Sequence, residues 1–197
     1  MIGAEQARGV HHALFSTPGT NVFAVLDGAS VADLPQLLWQ HKPEHACLYS
    51  GELGPDMRQV APYLVRLDPD SPMTELVIGA GWGQHWGIFA VAPKGLIEMR
   101  KQFRRYLVVK DPDGKTLAFR FYDPRVLRVY LPTCNAHETQ EIFGPIRFLA
   151  LEDEDPSTML KCMPGEQSPV IQRISLKAEA VAAGAATARE PAVKGAR

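Results

Sequence analysis

Asp68-Pro69-Asp70 sets two carboxylates one residue apart, just past an apolar run that ends at Leu67. Paired acids in that position can hold a divalent cation against a diphosphate, which would make the protein a metal-dependent transferase or hydrolase. Turn chemistry competes with that reading. Asp-Pro and Ser-Pro are turn formers, and the same dipeptide returns at Asp111-Pro112 inside a hairpin loop. With no third oxygen ligand indicated nearby, neither a metal nor any other cofactor is expected. A second stretch, Gly79 to Gly87, has glycines that resemble a phosphate cradle. A dinucleotide fingerprint needs a strand before it and a helix after it, and here the order is inverted. The glycines instead allow backbone to pass beside Trp82 and Trp86, and an exposed indole there would be a binding anchor. The histidines His11, His12, His41, His45, His85 and His137 make no HExxH spacing. Cys47, Cys134 and Cys162 make no CxxC pair, and no GxSxG elbow occurs. The thiols therefore read as buried and structural, and no catalytic residue is assigned.

What remains is charge. Between Lys94 and Arg128 stand ten basic residues (Lys94, Arg100, Lys101, Arg104, Arg105, Lys110, Lys115, Arg120, Arg125 and Arg128) against four acids (Glu98, Asp111, Asp113 and Asp123). Over the whole chain of 197 residues the formal net charge is only −1. That balance gives no general attraction to nucleic acid or to an anionic membrane, so neither is an expected partner. An odd number of widely spaced cysteines suits a reducing compartment. With no leader-like or membrane-spanning stretch in sight, a cytoplasmic location is expected.

The elements that must position these residues can be read from periodicity. Val22 to Leu26 and Trp86 to Val91 are continuous apolar runs, the pattern of strands buried on both faces. Ala46 to Tyr49, Pro62 to Leu67 and Ile146 to Leu151 are further strands, and Leu34 to His41 is a helix that gives the chain a βαβ-like start. Ser71 or Pro72 opens a helix from Met73 to Gly79. Leu96, Met99, Phe103 and Tyr106 form one apolar stripe on a helix from Lys94 to Arg105, leaving Arg100, Lys101, Arg104 and Arg105 off it. Tyr106 to Lys110 and Thr116 to Phe121 pair as a β-hairpin. Asp123 then caps a short helix begun by Pro124, in which Arg120 and Arg125 flank the Asp123 carboxylate. Asn135 caps a helix through Phe143, and Glu152 to Asp155 form an acidic edge. Met159 to Met163 and Pro169 to Leu176 make a last hairpin.

The expected fold is α/β: a mixed sheet with helices on its faces, a β-hairpin and a helix-rich C-terminal part. Residues 1–20 read as a loosely ordered lead-in and 21–176 as the body. Two lobes, about 21–93 and 94–176, are an open alternative. Residues 177–197 are an alanine-rich tail too poor in large apolar groups to pack.

Arg120-Phe121-Tyr122-Asp123-Pro124-Arg125-Val126-Leu127 is preceded by Val65-Arg66-Leu67-Asp68-Pro69-Asp70-Ser71-Pro72 and by Gly81-Trp82-Gly83-Gln84-His85-Trp86-Gly87-Ile88-Phe89. In that order and with those intervals they resemble a bacterial family of domains of unknown function (DUF4123), over about Val22 to Leu151. Its members are adaptor chaperones of the type VI secretion system. The resemblance implies a non-enzymatic protein whose partners are an effector toxin and the valine-glycine-repeat (VgrG) spike protein. The residues offered as partner-binding are Trp82, Trp86, Arg100, Arg104, Arg120, Asp123 and Arg125.

Overall fold

Every strand pairing among the described residues is antiparallel. The structure, a computed structural model, describes residues 2–110 and 113–177. In chain order it runs α1 (Ala4–Phe15), β1 (Asn21–Asp27), α2 (Leu34–His41), β2 (His45–Cys47), α3 (Pro55–Val60), β3 (Pro62–Leu67), α4 (Pro72–Gly79) and β4 (Gly87–Ala92). It continues with α5 (Leu96–Arg104), β5 (Val108–Lys110), β6 (Thr116–Ala118), α6 (Pro124–Tyr130), α7 (Ala136–Phe143), β7 (Phe148–Glu152), β8 (Thr158–Met163) and β9 (Val170–Ser175). One seven-stranded sheet has the order β2-β3-β1-β4-β7-β8-β9, and β5-β6 stands apart as a two-stranded ribbon.

The α/β class is what the chain forms. The sheet is antiparallel throughout and not mixed, however, so β1 and β2, joined by α2, run parallel to each other without being neighbours. β3 lies between β1 and β2 and pairs antiparallel to both. A cut near Pro93 would also sever β4 from β7, whose residues pair from Phe89↔Ala150 to Val91↔Phe148, so the sheet runs through both halves of the chain.

The continuous apolar runs are explained by burial on both faces. Val22, Ala24 and Leu26 of β1 point to one side, where Val10 and Leu14 of α1, Leu34 and Leu38 of α2 and Met73 and Val77 of α4 complete a core. Phe23 and Val25 point to the other, against Met99 and Phe103 of α5, Leu127 of α6 and Ile142 and Phe143 of α7. Gly87 at the start of β4 lies so close to β1 that a Cβ there would meet Val25 O at 2.0 Å.

The lead-in expected at residues 1–20 is corrected. Residues Ala4–Phe15 form α1, a three-turn helix in which Val10 and Leu14 are fully buried. It packs along α4, and two bonds tie this region down: Ile2 N, just before the helix, donates to Gly79 O, and the His11 ring nitrogen Nε2 lies 3.0 Å from Pro69 O in the turn before α4. A helix with so weak a stripe gains its stability from packing rather than from propensity. The hairpin is also shorter than its sequence predicts, closing at Phe119 N to Leu107 O, after which Phe121 and Tyr122 turn into the core. Asp111 and Pro112 of its loop, and all of the alanine-rich tail after Lys177, lie outside the described residues.

Candidate functional site

Two loops built around buried acids organise the face where the sequence places its candidate residues. In the first, Asp123 caps α6 as expected: its Oδ1 accepts from Arg125 N at 3.0 Å. The Arg125 guanidinium then closes back on the same carboxylate, Nε to Oδ1 at 3.0 Å and Nη2 to Oδ2 at 2.8 Å. This fork-on-carboxylate geometry is the stronger kind of ion pair. Arg120, on the turn before the cap, stands 3.9 Å from Asp123 and makes its main bond to Asp27 Oδ2 at the end of β1. Asp27 also accepts from Ala29 N at 3.0 Å and Ser30 Oγ at 2.9 Å, which fixes the turn after β1.

The result is a two-layered cluster. Asp27 and Asp123 are 1% and 3% exposed. The arginine side chains above them are 45% exposed for Arg120 and 51% for Arg125. Arg120 and Asp123 were expected near one another. Asp27, which holds Arg120, stands just past the Val22 to Leu26 run and could not be linked to that arginine along the sequence, because the two lie 93 residues apart.

Burial works to raise the Asp123 carboxyl, but hydrogen bonds from the Arg125 side chain and backbone and the charges of Arg125 and Arg120 hold it below the ordinary 3.8. A carboxyl depressed in the folded state stabilises the fold above its unfolded value, and that contribution is lost as the pH falls through the lower folded value. The stability gap between the native chain and Asp123→Asn should therefore be full at neutral pH and narrow only below 3.8. Urea unfolding at several pH values measures it, and a gap that narrows already near pH 6 would contradict this account.

The second loop is the glycine-rich bend. Trp82 is 2% exposed, stacks on Phe89 with centroids 6.0 Å apart, and donates from Nε1 to Pro156 O at 2.8 Å. It is a core residue, so its reading as an exposed anchor is corrected. Trp86 is half-buried against the same core, and its ring lies 2.7 Å from where a Cβ on Gly81 would sit. Backbone amides in this bend do face an anion, but it is the protein's own. Glu152, 3% exposed, accepts from Gly83 N and from His85 N at 3.0 Å, and the His85 ring lies against it. The expected acidic edge at 152–155 is thus half interior, since Asp153 is buried too and pairs with Arg173.

The basic stripe of α5 is divided. Arg100 is half-buried and donates from Nε to Cys47 O at 2.9 Å, tying α5 to β2, and Arg104 is half-buried beside it. Arg105 reaches Glu141 at 3.7 Å and lies over the Tyr106 ring. Arg100 is accordingly a structural strut before it is anything else. Trp39 was missed. It sits off the Leu34, Leu37, Leu38 stripe of α2 and is 73% exposed, and that off-stripe spacing was the signal available in the sequence.

The reactive groups are quiet. Burial raises the thiols of Cys47 and Cys134 and pushes Cys162 up to about 12. Burial and a hydrogen bond with Tyr49 raise the Tyr122 hydroxyl next to the cluster. Asp68 and Asp70 are both exposed, in a turn whose backbone carries the bonding: Ser71 N and Thr74 Oγ1 donate to Asp68 O at 3.1 and 2.7 Å. Among the described residues no group of three or more His, Cys, Asp or Glu side chains is placed to hold a metal ion.

Residues 22–141 match the sequence model of the family described as domain of unknown function (DUF4123). The chain belongs to this family. No curated protein and no solved structure matches the chain. The DUF4123 match takes in β1 through most of α7, and so contains Asp27, Arg120, Asp123 and Arg125 together. Glu152 and the β8-β9 hairpin lie beyond it. Among the described residues, no helix is long and apolar enough to cross a membrane.

Proposed function

We propose that this DUF4123 chain is a cytoplasmic adaptor of type VI secretion that grips a toxic effector and loads it onto the valine-glycine-repeat spike protein, acting by binding and not by turnover. The motif resemblance supplies the partners. The observation that carries the docking assignment is the two-layered cluster: carboxylates almost wholly buried beneath guanidiniums that are half exposed. Arg125 spends Nε and Nη2 on Asp123 and Arg120 spends Nη2 on Asp27, which orients each fork while leaving much of it facing solvent. Guanidiniums held in this way present donors at fixed positions to carboxylates or backbone carbonyls of a partner, with little left to order on binding.

The test is co-expression with a spike protein and a toxic effector from the same cell, followed by capture on a tagged adaptor. Native adaptor should retain both. Arg125→Glu should reduce retention at least about tenfold, the scale on which losing one buried charged contact acts in an interface, while the circular dichroism spectrum stays native. The milder Arg125→Gln should give an intermediate loss. Unfolding of both variants would assign the cluster to architecture alone, and undiminished capture would remove it from the interface.

A further inference from the structure

The two ends of the seven-stranded sheet are treated differently. At one end β2 has only three residues, is preceded by Pro43, and has Arg100 bonded across to Cys47 O. Short edges and nearby prolines are the usual means of preventing further pairing. At the other end Pro169 also stands just before β9, but β9 pairs with β8 in unbroken register over six residues, from Met163↔Val170 to Thr158↔Ser175, with no bulge and no proline within the strand. Among the described residues no strand pairs with its outer side. Alternate residues of β9 therefore turn backbone donors and acceptors outward along the whole strand.

A cavity of about 620 Å³ opens beside this edge. Ile171 and Arg173 of β9, Leu160 of β8, Val129 of α6 and the exposed acid Glu154 are among its lining, so apolar side chains lie beside charged ones of both signs. Arg128 lines it as well. Its Nη1 is buried with no hydrogen-bond partner among the described residues, and its Nε is held only loosely, 4.0 Å from Glu154. Arg173 is already committed to Asp153. Rim charge is thus left chiefly on Glu154, 85% exposed, because Asp155, 62% exposed, already accepts from Ser157 N and Oγ at 2.9 and 2.6 Å and pairs with the exposed Lys177 at 3.6 Å.

From this arrangement we infer that the outer edge of β9 is a docking site for an extended segment of a partner polypeptide, which adds to the sheet as a further strand. The edge supplies main-chain hydrogen bonds. Every second side chain of the arriving strand falls on the same face as Ile171 and Arg173, over the cavity. The lining selects a side chain with an apolar stem and a cationic end, lysine or arginine, its stem on Ile171, Leu160 and Val129 and its charge at Glu154. An arriving carbonyl would give the Arg128 guanidinium an acceptor once that side chain turns outward. The proposal deepens the adaptor reading by naming what a carried polypeptide presents; it rests on that reading for the identity of the partner alone.

The probe is a phage-displayed library of random twelve-residue peptides, selected against the full chain. Enriched peptides should carry alternating apolar and basic residues. When bound, a synthetic copy should slow amide hydrogen exchange along β9 while leaving β2 unchanged. Glu154→Lys, at an exposed position where the fold is not at stake, should weaken that peptide about two- to fivefold, within the range of exposed ion pairs. Arg128→Met should weaken it about tenfold or more, as loss of a charged hydrogen bond does. Failure to enrich any peptide, or binding that leaves β9 exchange unchanged and ignores Glu154→Lys, overturns the proposal. So does β9 protection that appears without peptide: rising with protein concentration it would identify a second copy as the occupant, and disappearing on truncation after Lys177 it would identify the chain's own tail. Peptide binding at β9 in a protein that captures neither spike nor effector would uphold this site and remove the adaptor reading.

Discussion

Replacing Phe121 with alanine should destabilise the protein by about 3–5 kcal/mol, the range for truncating a large buried aromatic. Phe121 is 2% exposed and stacks on Phe103 of α5 with centroids 5.5 Å apart and planes 11° from parallel. Tyr106, Phe119 and Tyr122 surround it at 6.4, 6.3 and 5.5 Å. One ring therefore joins α5, the end of the β5-β6 ribbon and the turn that leads to Asp123. A two-stranded ribbon is barely stable alone, so its attachment at this point is what holds it in place. Urea denaturation followed by circular dichroism measures the loss, and a change under 1 kcal/mol would mean that the aromatic group repacks around the gap. Because Arg120 and Asp123 flank Phe121 in sequence, the variant should also weaken partner capture, in proportion to the unfolded fraction.

Asp27→Ala is expected to cost about 3 kcal/mol, at the low end of the range for removing one partner of a buried pair because Arg120 can still reach water. Its carboxylate is 1% exposed and accepts from Arg120, Ser30 Oγ and Ala29 N. The substitution frees the arginine, unties the turn after β1 and leaves the Ala29 amide and the Ser30 hydroxyl without their acceptor. Arg120→Ala removes the guanidinium but keeps both turn bonds, so it should cost less than Asp27→Ala. Thermal unfolding of the two variants and of the double variant gives the coupling between them. If the two changes prove additive, Asp27 and Arg120 do not act as a pair and the cluster has only one layer.

These effects also show where local reasoning reached its limit. Val22 to Leu26 and Trp86 to Val91 were recognisable as doubly buried strands because an uninterrupted apolar run is what burial on both faces demands, and the second strand forms over Gly87–Ala92. Asp123, Ser71 and Asn135 were recognisable as helix caps because capping is decided within three or four residues, and each accepts the expected bond. The strand order was not recognisable. Nothing in β1, β2 and β3 taken singly states that β3 lies in the middle, since neighbours in a sheet are chosen by packing and register across the whole fold. The helix α1 was missed for a related reason: its apolar positions are few, and their value comes from α4.

The sequence by itself determined the runs that become strands, the caps of α4, α6 and α7, the Arg-Asp-Arg charge pattern at the start of α6 and the family to which they point. Tertiary structure alone decided that Asp27 anchors Arg120, that Trp82 is interior, that Glu152 occupies the amides of the glycine-rich bend, and that β9 is the last strand of the sheet among the described residues. The division has a physical cause. Periodicity and capping are governed by neighbours along the chain, whereas the partner of a buried charge and the fate of a sheet edge are settled by residues brought close only when the whole chain has folded.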